Sequence, residues 1–342
     1  MIRMQTITTA DYHTAGEPFR IVTGGVEVPA GATVLDRRSA CEANDGGLDD
    51  VRAFLVNEPR GHADMYGCFI TPADDDGAAF GMVFFHKDGF STACGHGTIA
   101  GATWALDSGL VEAVCPFTDL YVDVPSGRLA VSASVGADGR VGEVLFTNVA
   151  SWVSATGVVI SAAGREWTVD VSYGGAYYAS VRAADGGLSI VPGDLDSLIV
   201  IGRAIKRAMD AHPAVQHPVD ARLSGCYGTI WWEALDPPDG ADVAQRNVTI
   251  FADGEVDRSP CGSGTSARLA VLHHRGELGL GATLCHEGIV GTRFSGRVLA
   301  TATGPEGRVA VATQVGGRAF ATGRHAFIHD DRDDLRLGFQ LR

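Results

Sequence analysis

Cys94-Gly95-His96-Gly97-Thr98 and Cys261-Gly262-Ser263-Gly264-Thr265 are one phrase written twice, 167 positions apart (261 − 94) in a chain of 342 residues. The likeness runs past the five letters. Ala100 and Ala267 each lie six residues beyond their cysteine, and Gly109 and Gly276 each lie fifteen beyond. Each copy follows an apolar run, opens a stretch of helical character, and ends at a glycine placed where a helix stops. The repeat predicts two alike domains, each offering a thiol at a helix N-terminus to one shared site.

Outward from the two phrases the chain reads as strands. Residues 5–9 and 19–22, separated by the turn Ala15-Gly16-Glu17-Pro18, open the first half, and 68–71 and 80–85 lead to the first phrase. Apolar residues at helical intervals predict a helical stretch over 37–56, with Leu48, Val51, Phe54 and Leu55 on one face, and another helix over 195–209. Short strands with glycine turns fill 120–146, 157–182, 229–251 and 281–325. Several strands, a turn, the cysteine phrase, a helix and more strands, given twice, make an α+β fold with a long-period duplication. The halves are expected at 1–125, joined by 325–342, and at 126–324, with a short crossover near 124–127.

Composition excludes several classes. A formal net charge of −14 gives no basic stripe for nucleic acid and no polybasic patch for a membrane surface. No apolar run reaches the ~18 residues of a membrane span, and the first residues lack the apolar core of a signal peptide, so the expected location is cytoplasmic. Seven cysteines, an odd number without C-x-x-C spacing, predict neither a disulfide framework nor a structural zinc site.

A helix that starts in small residues turns unpaired N–H groups and its positive dipole end toward a ligand, which suits a carboxylate. The same setting is expected to lower a thiol's pKa. A thiolate and a thiol on opposite faces of a carbon acid can remove the α-proton and return one from the far side, inverting the centre with no metal or organic cofactor. A different class stays open, because Gly95-x-Gly97-x-x-Ala100 and Gly262-x-Gly264-x-x-Ala267 fit the loose dinucleotide fingerprint of a nucleotide-binding oxidoreductase. Neither lies in a clear βαβ unit. A non-enzymatic amino-acid-binding module would use the same carboxylate cradle.

The chain resembles the proline racemases, hydroxyproline epimerases and 3-hydroxyproline dehydratases over essentially its whole length. The resemblance rests on Thr14-Ala15-Gly16-Glu17-Pro18, on residues 58–67 (EPRGHADMYG), on both cysteine phrases, on Val215-Gln216-His217-Pro218, and on Asp257-Arg258-Ser259-Pro260 before Cys261. It implies two diaminopimelate-epimerase-like domains, each a strand-rich sheet wrapped around a central helix, with the site in the cleft between them, and a homodimer acting on a small imino acid. By position, Cys94 and Cys261 resemble the two acid/base thiols. Gly95, His96, Gly262 and Ser263 would hold the substrate carboxylate through backbone N–H groups, and His96 and Asp257 would hold the ring nitrogen. His96 could instead be a surface-loop residue, and Asp257 a turn residue beside Ser259-Pro260. Ser263 stands where the family more often has threonine.

In the dehydratase branches of that family one cysteine is commonly Ser or Thr. Both remain here, which favours racemisation or epimerisation of proline or a hydroxyproline over dehydration of trans-3-hydroxy-L-proline. Phe251 would line the pocket. Tyr66 stands where a proline racemase usually has Phe, and its hydroxyl could meet a substrate hydroxyl, although both aromatics could simply be core.

Overall fold

The structure is a computed structural model that describes residues 6–330 and 332–341; the opening residues 1–5, read above for a leader, lie outside that range. By internal contacts the chain divides into two units, one of residues 1–144 with 318–342 and the other of residues 145–317.

The first unit runs β1 (Ile7–Thr14), β2 (Glu17–Gly24), α1 (Val34–Glu42), α2 (Leu48–Val56), β3 (Tyr66–Thr71), β4 (Phe80–His86), β5 (Gly89–Ser91), α3 (Gly95–Asp107), β6 (Phe117–Val124), β7 (Gly127–Val135) and β8 (Val141–Thr147), the last carrying the chain across the boundary. The second runs β9 (Trp152–Ala162), β10 (Arg165–Tyr173), β11 (Tyr177–Arg182), α4 (Leu195–Met209), β12 (Cys226–Leu235), β13 (Val243–Phe251), β14 (Glu255–Asp257), α5 (Gly262–His274), β15 (Thr283–Gly288), β16 (Arg293–Thr303) and β17 (Val309–Gly317). The chain then returns to the first unit as β18 (Ala319–Phe327), antiparallel to β1 from Ile7↔Phe327 to Thr14↔Ala319.

Strand pairing repeats between the units. In the first, β18, β1 and β2 are antiparallel in turn, β2 meets β3 in parallel, β3 and β4 are antiparallel, β4 meets β6 in parallel, and β6 and β7 are antiparallel. In the second, β9, β10, β11, β12, β13, β15 and β16 follow the same sequence of antiparallel and parallel joints. The two parallel joints fall at the same steps. In each unit a three-residue strand (β5 or β14) hairpins off the strand before the phrase.

Each phrase opens the central helix of its unit. Residues 95–103 of α3 and 262–272 of α5 are all buried. Such helices have no polar face, as a helix enclosed on all sides must. Their many Gly, Ala, Ser and Thr residues let strands approach closely: β1, β2, β7 and β18 pack on α3, and β9, β10, β11, β16 and β17 on α5. Both stop as the spacing predicts, at Ser108 and Arg275, with Gly109 (φ +75°) and Gly276 (φ +72°) next in the left-handed region.

Two expectations change. The stretch over 37–56 is two helices, because Asn44, Gly46 and Gly47 all take positive φ and a capping box of Thr33 and Asp36 starts α1 at Val34. The expected crossover near 124–127 is instead the turn of the β6–β7 hairpin, with Val124 paired to Gly127, so the chain leaves the first unit later, at Val144/Leu145.

Candidate active site

In the first unit Cys94 caps α3 from extended backbone (φ −153°, ψ 99°), and its sulfur accepts the Gly97 N–H at 3.3 Å. This gives the second glycine of the phrase its reason. A Cβ on Gly97 would lie 2.7 Å from Cys94 Sγ and 2.4 Å from the Phe19 ring. The threonine has one too: Thr98 Oγ1 donates to the Cys94 carbonyl at 2.9 Å. Thr98 N also donates to that carbonyl, so the N–H groups of Gly95 and His96 precede the first bond of the helix ladder.

His96 is buried, not a surface-loop residue. Its ring nitrogens stand 3.5 and 3.6 Å from Cys94 Sγ, and its ring sits edge-on to Tyr66 (5.0 Å) and Phe19 (5.5 Å). The Thr14 hydroxyl donates to the His96 carbonyl at 2.9 Å, which is why Thr14-Ala15-Gly16-Glu17-Pro18 belongs to this end of the helix. Tyr66 hydrogen-bonds the Ser91 hydroxyl, fixing where its phenol points.

In the second unit Cys261 precedes α5 with φ +59°, a left-handed conformation costly for a residue with a side chain. A short relay holds it. Cys261 N–H donates to Ser259 Oγ (3.1 Å), and the hydroxyl and N–H of Ser259 both donate to Asp257 Oδ1 (2.6 and 2.9 Å). Asp257 thus fills the turn role left open by the sequence. Burial pushes its carboxyl up to about 6, with the Ser259 hydrogen bonds pulling the other way.

Cys261 Sγ points at the Tyr178 hydroxyl (3.7 Å), which lies 2.7 Å from Ser263 Oγ. A Cβ on Gly264 would meet the sulfur at 2.8 Å, as on Gly97. Thr265 Oγ1 lies 2.8 Å from the Cys261 carbonyl and 2.8 Å from His286 Nδ1, while His286 Nε2 faces the Asn247 amide nitrogen at 2.8 Å. An amide nitrogen only donates, so Nε2 accepts, and Nδ1 carries the proton given to Thr265. Burial lowers His286 to about 3 and keeps it neutral.

Burial, followed by the Asp257 carboxylate, pushes the Cys261 thiol up to about 12, against the smaller opposite pull of the Gly264 N–H and the Thr249 and Tyr178 hydroxyls. This corrects the expectation of a lowered thiol pKa at this helix end. Removal from water outweighs the dipole at this buried position.

Residues 9–340 match the family profile described as proline racemase. The chain belongs to the proline racemase family. Among its relatives, a trans-3-hydroxy-L-proline dehydratase of Bacillus thuringiensis is 43% identical over 334 residues, 98% of each chain. A 3-hydroxyproline 2-epimerase of Burkholderia multivorans is 40% identical over 340 residues, 99% of each. The crystal structure of a hydroxyproline epimerase from Agrobacterium vitis, with trans-4-hydroxy-L-proline bound, superposes with a TM-score of 0.89 at 31% identity, covering 100% of this chain and 97% of that one.

This member of the proline racemase family is therefore an enzyme scaffold of two diaminopimelate-epimerase-like domains. Within the first, Cys94, Gly95, His96 and Tyr66 gather at one end of α3. Within the second, Cys261, Gly262, Ser263 and Asp257 gather at the start of α5. Phe251 lies a step further, stacked on Tyr227 (5.6 Å), whose ring meets Tyr178 edge-on (5.7 Å). Sequence reasoning missed Tyr178, Ser259 and Ser91. Of these only Ser259 had a local signal, two residues after Asp257. Arg60, inside the 58–67 stretch, is scaffold: it donates to the carbonyls of Phe54, Leu335 and Arg336 and lies over the Phe54 ring.

Proposed function

We propose that the chain inverts the α-carbon of a hydroxyproline by cofactor-independent proton transfer between Cys94 and Cys261. The carrying observation is that two topologically equivalent, fully enclosed helices each begin with a cysteine. One sulfur takes the N–H of its first turn, and the other is held as a thiol. The N–H groups of Gly95, His96, Gly262 and Ser263 bind the substrate carboxylate, and His96 and Asp257 hold the ring nitrogen. Cys94 takes the α-proton, negative charge passes into the carboxylate, and the Cys261 S–H delivers its proton to the opposite face. In the return direction the roles exchange. Tyr66 and Phe251 line the ring pocket, and the Tyr66 hydroxyl favours a hydroxylated ring over proline. The working form, by family resemblance, is a cytoplasmic homodimer.

The test is incubation with L-proline, trans-4-hydroxy-L-proline and trans-3-hydroxy-L-proline, each in deuterated water. Deuterium at the α-carbon with optical change is expected for at least one hydroxyproline, and C94S or C261S should abolish the inversion. If no substrate exchanges its α-proton, the proposal is wrong. The dehydratase name of the Bacillus relative supports a second reading, in which the α-proton and the 3-hydroxyl of trans-3-hydroxy-L-proline both leave. An amine trap for the pyrroline carboxylate in the same panel separates the two.

A further inference from the structure

Tyr178 touches Cys261, and the equivalent register position of the first unit is Pro18. The tyrosine is fully buried on β11, with its hydroxyl between Cys261 Sγ and Ser263 Oγ. Edge contact with Tyr227, itself stacked on Phe251, fixes the ring. In the matching β1–β2 hairpin of the first unit, the pair corresponding to Ser172↔Tyr178 is His13↔Pro18, and proline offers no hydroxyl. The two ends of the catalytic pair are thus built differently.

A tyrosine hydroxyl and a serine hydroxyl in series can serve both charge states of a neighbouring sulfur. With Cys261 as thiol, S–H donates to Tyr178 Oη and the Tyr178 O–H donates to Ser263 Oγ. When the sulfur has lost its proton, the Tyr178 O–H turns to donate to it, and the Ser263 O–H turns to donate to Tyr178 Oη. The Tyr178 hydroxyl makes two bonds in either state, and only O–H rotations are required.

We propose that Tyr178 is a further catalytic residue, a hydroxyl switch that steadies Cys261 as thiol and as thiolate in turn. No proton passes along the switch: the proton Cys261 loses goes to the α-carbon, and the one it gains comes from there. This rests on the reading of Cys261 as an acid–base group. The other ionisable groups facing the site are Asp257, which opposes the thiolate, Arg258 beside it, and His286, held neutral behind Thr265.

The experiment follows iodoacetamide alkylation of Cys261 against pH in the full chain, read by peptide mass spectrometry, for wild type, Y178F and S263A. It is paired with α-proton exchange in deuterated water from both α-carbon epimers of the hydroxyproline. Y178F should raise the alkylation midpoint by about one pH unit, making alkylation about tenfold slower below it. The exchange profile in the direction that needs Cys261 as base should move with it. S263A removes the competing acceptor and turns the Tyr178 hydroxyl toward the sulfur, so its midpoint should lie below wild type, and a midpoint equal to or above wild type counts against the switch. A Y178F midpoint equal to wild type overturns the proposal, and so does an equal rise in S263A. If Y178F does not fold, S263A decides by the sign of its shift. Alkylation needs no substrate, so a wild type that exchanges nothing sinks the proposed function while still testing the switch. An exchanging wild type with an unmoved Y178F sinks the switch alone.

Discussion

Gly97 and Gly264 occupy helix positions where alanine would ordinarily be better by up to about 1 kcal/mol. Here the methyl would strike the preceding cysteine's sulfur. At Gly97 it would also strike the Phe19 ring, whereas at Gly264 it meets the end of the Ile230 side chain at 3.1 Å. G97A should therefore lose roughly 1–3 kcal/mol in urea unfolding, while G264A should keep its stability and change the alkylation rate of Cys261. Two buried groups give a second prediction. Asp257 has its carboxyl raised by burial, so its contribution to stability is complete below about 3.8 and lost as pH rises through about 6. His286 is depressed by burial, so its contribution is present above about 6.5 and lost as pH falls through about 3. Between roughly pH 4 and 6 the two slopes oppose, each about 1.4 kcal/mol per unit. D257N should make stability climb with pH more steeply than in wild type, and H286Q should make it climb less or fall; parallel slopes in urea titrations would contradict both. Every letter of the phrase except the variable third could be read as small, polar or nucleophilic. That the second glycine makes room for the chain's own sulfur could not be read, because it depends on the cysteine side chain folding back over its helix. Tyr178 was invisible for a different reason: it lies 83 residues from Cys261, beside another tyrosine, and only the hairpin register decides which of the two faces the thiol.

The central helices tie their first turns down differently. In α3 the Thr98 hydroxyl returns to the Cys94 carbonyl. In α5 the equivalent Thr265 hydroxyl also meets His286 of β15, joining helix to sheet. T265V should leave a buried imidazole N–H without its acceptor and cost about 1–3 kcal/mol, whereas T98V should cost about 0.5–1.5 kcal/mol, read as urea midpoints. At this scale the sequence was most legible where period and punctuation agreed. Helix α4 has the bounds its spacing predicts, with Leu198, Gly202, Ile205 and Met209 facing inward, and both central helices stop at their glycines. It was least legible where the apolar period continues through a break, as across Asn44–Gly47, because three backbone reversals within four residues leave the hydrophobic spacing on either side intact. The hairpin at 124–127 misled for a related reason. A glycine turn between strands looks the same whether it closes a hairpin or leaves a domain.

For the molecule as a whole, the long-period repeat correctly announced two alike domains, and the pairing of parallel and antiparallel joints shows how far the likeness goes. The units are nonetheless permuted relative to each other. The second makes its outer strand β9 from the residues just before β10, while the first takes the corresponding strand, β18, from beyond the entire second unit. A chain shortened to end at Gly317 should keep the α5 amides protected in hydrogen exchange and lose protection along β1, and equal protection of both would refute this dependence. The same permutation sets an order of events during synthesis. More than 300 residues separate the end of β1 from the end of β18, about 15–60 s at ordinary translation rates. Through that interval the second unit is synthesised with all its own strands, while the first, begun earlier, waits with β1 lacking its β18 partner along one edge. The cysteine translated first is thus the last to be enclosed, and a nascent chain of this enzyme is most exposed to mispairing at its oldest end.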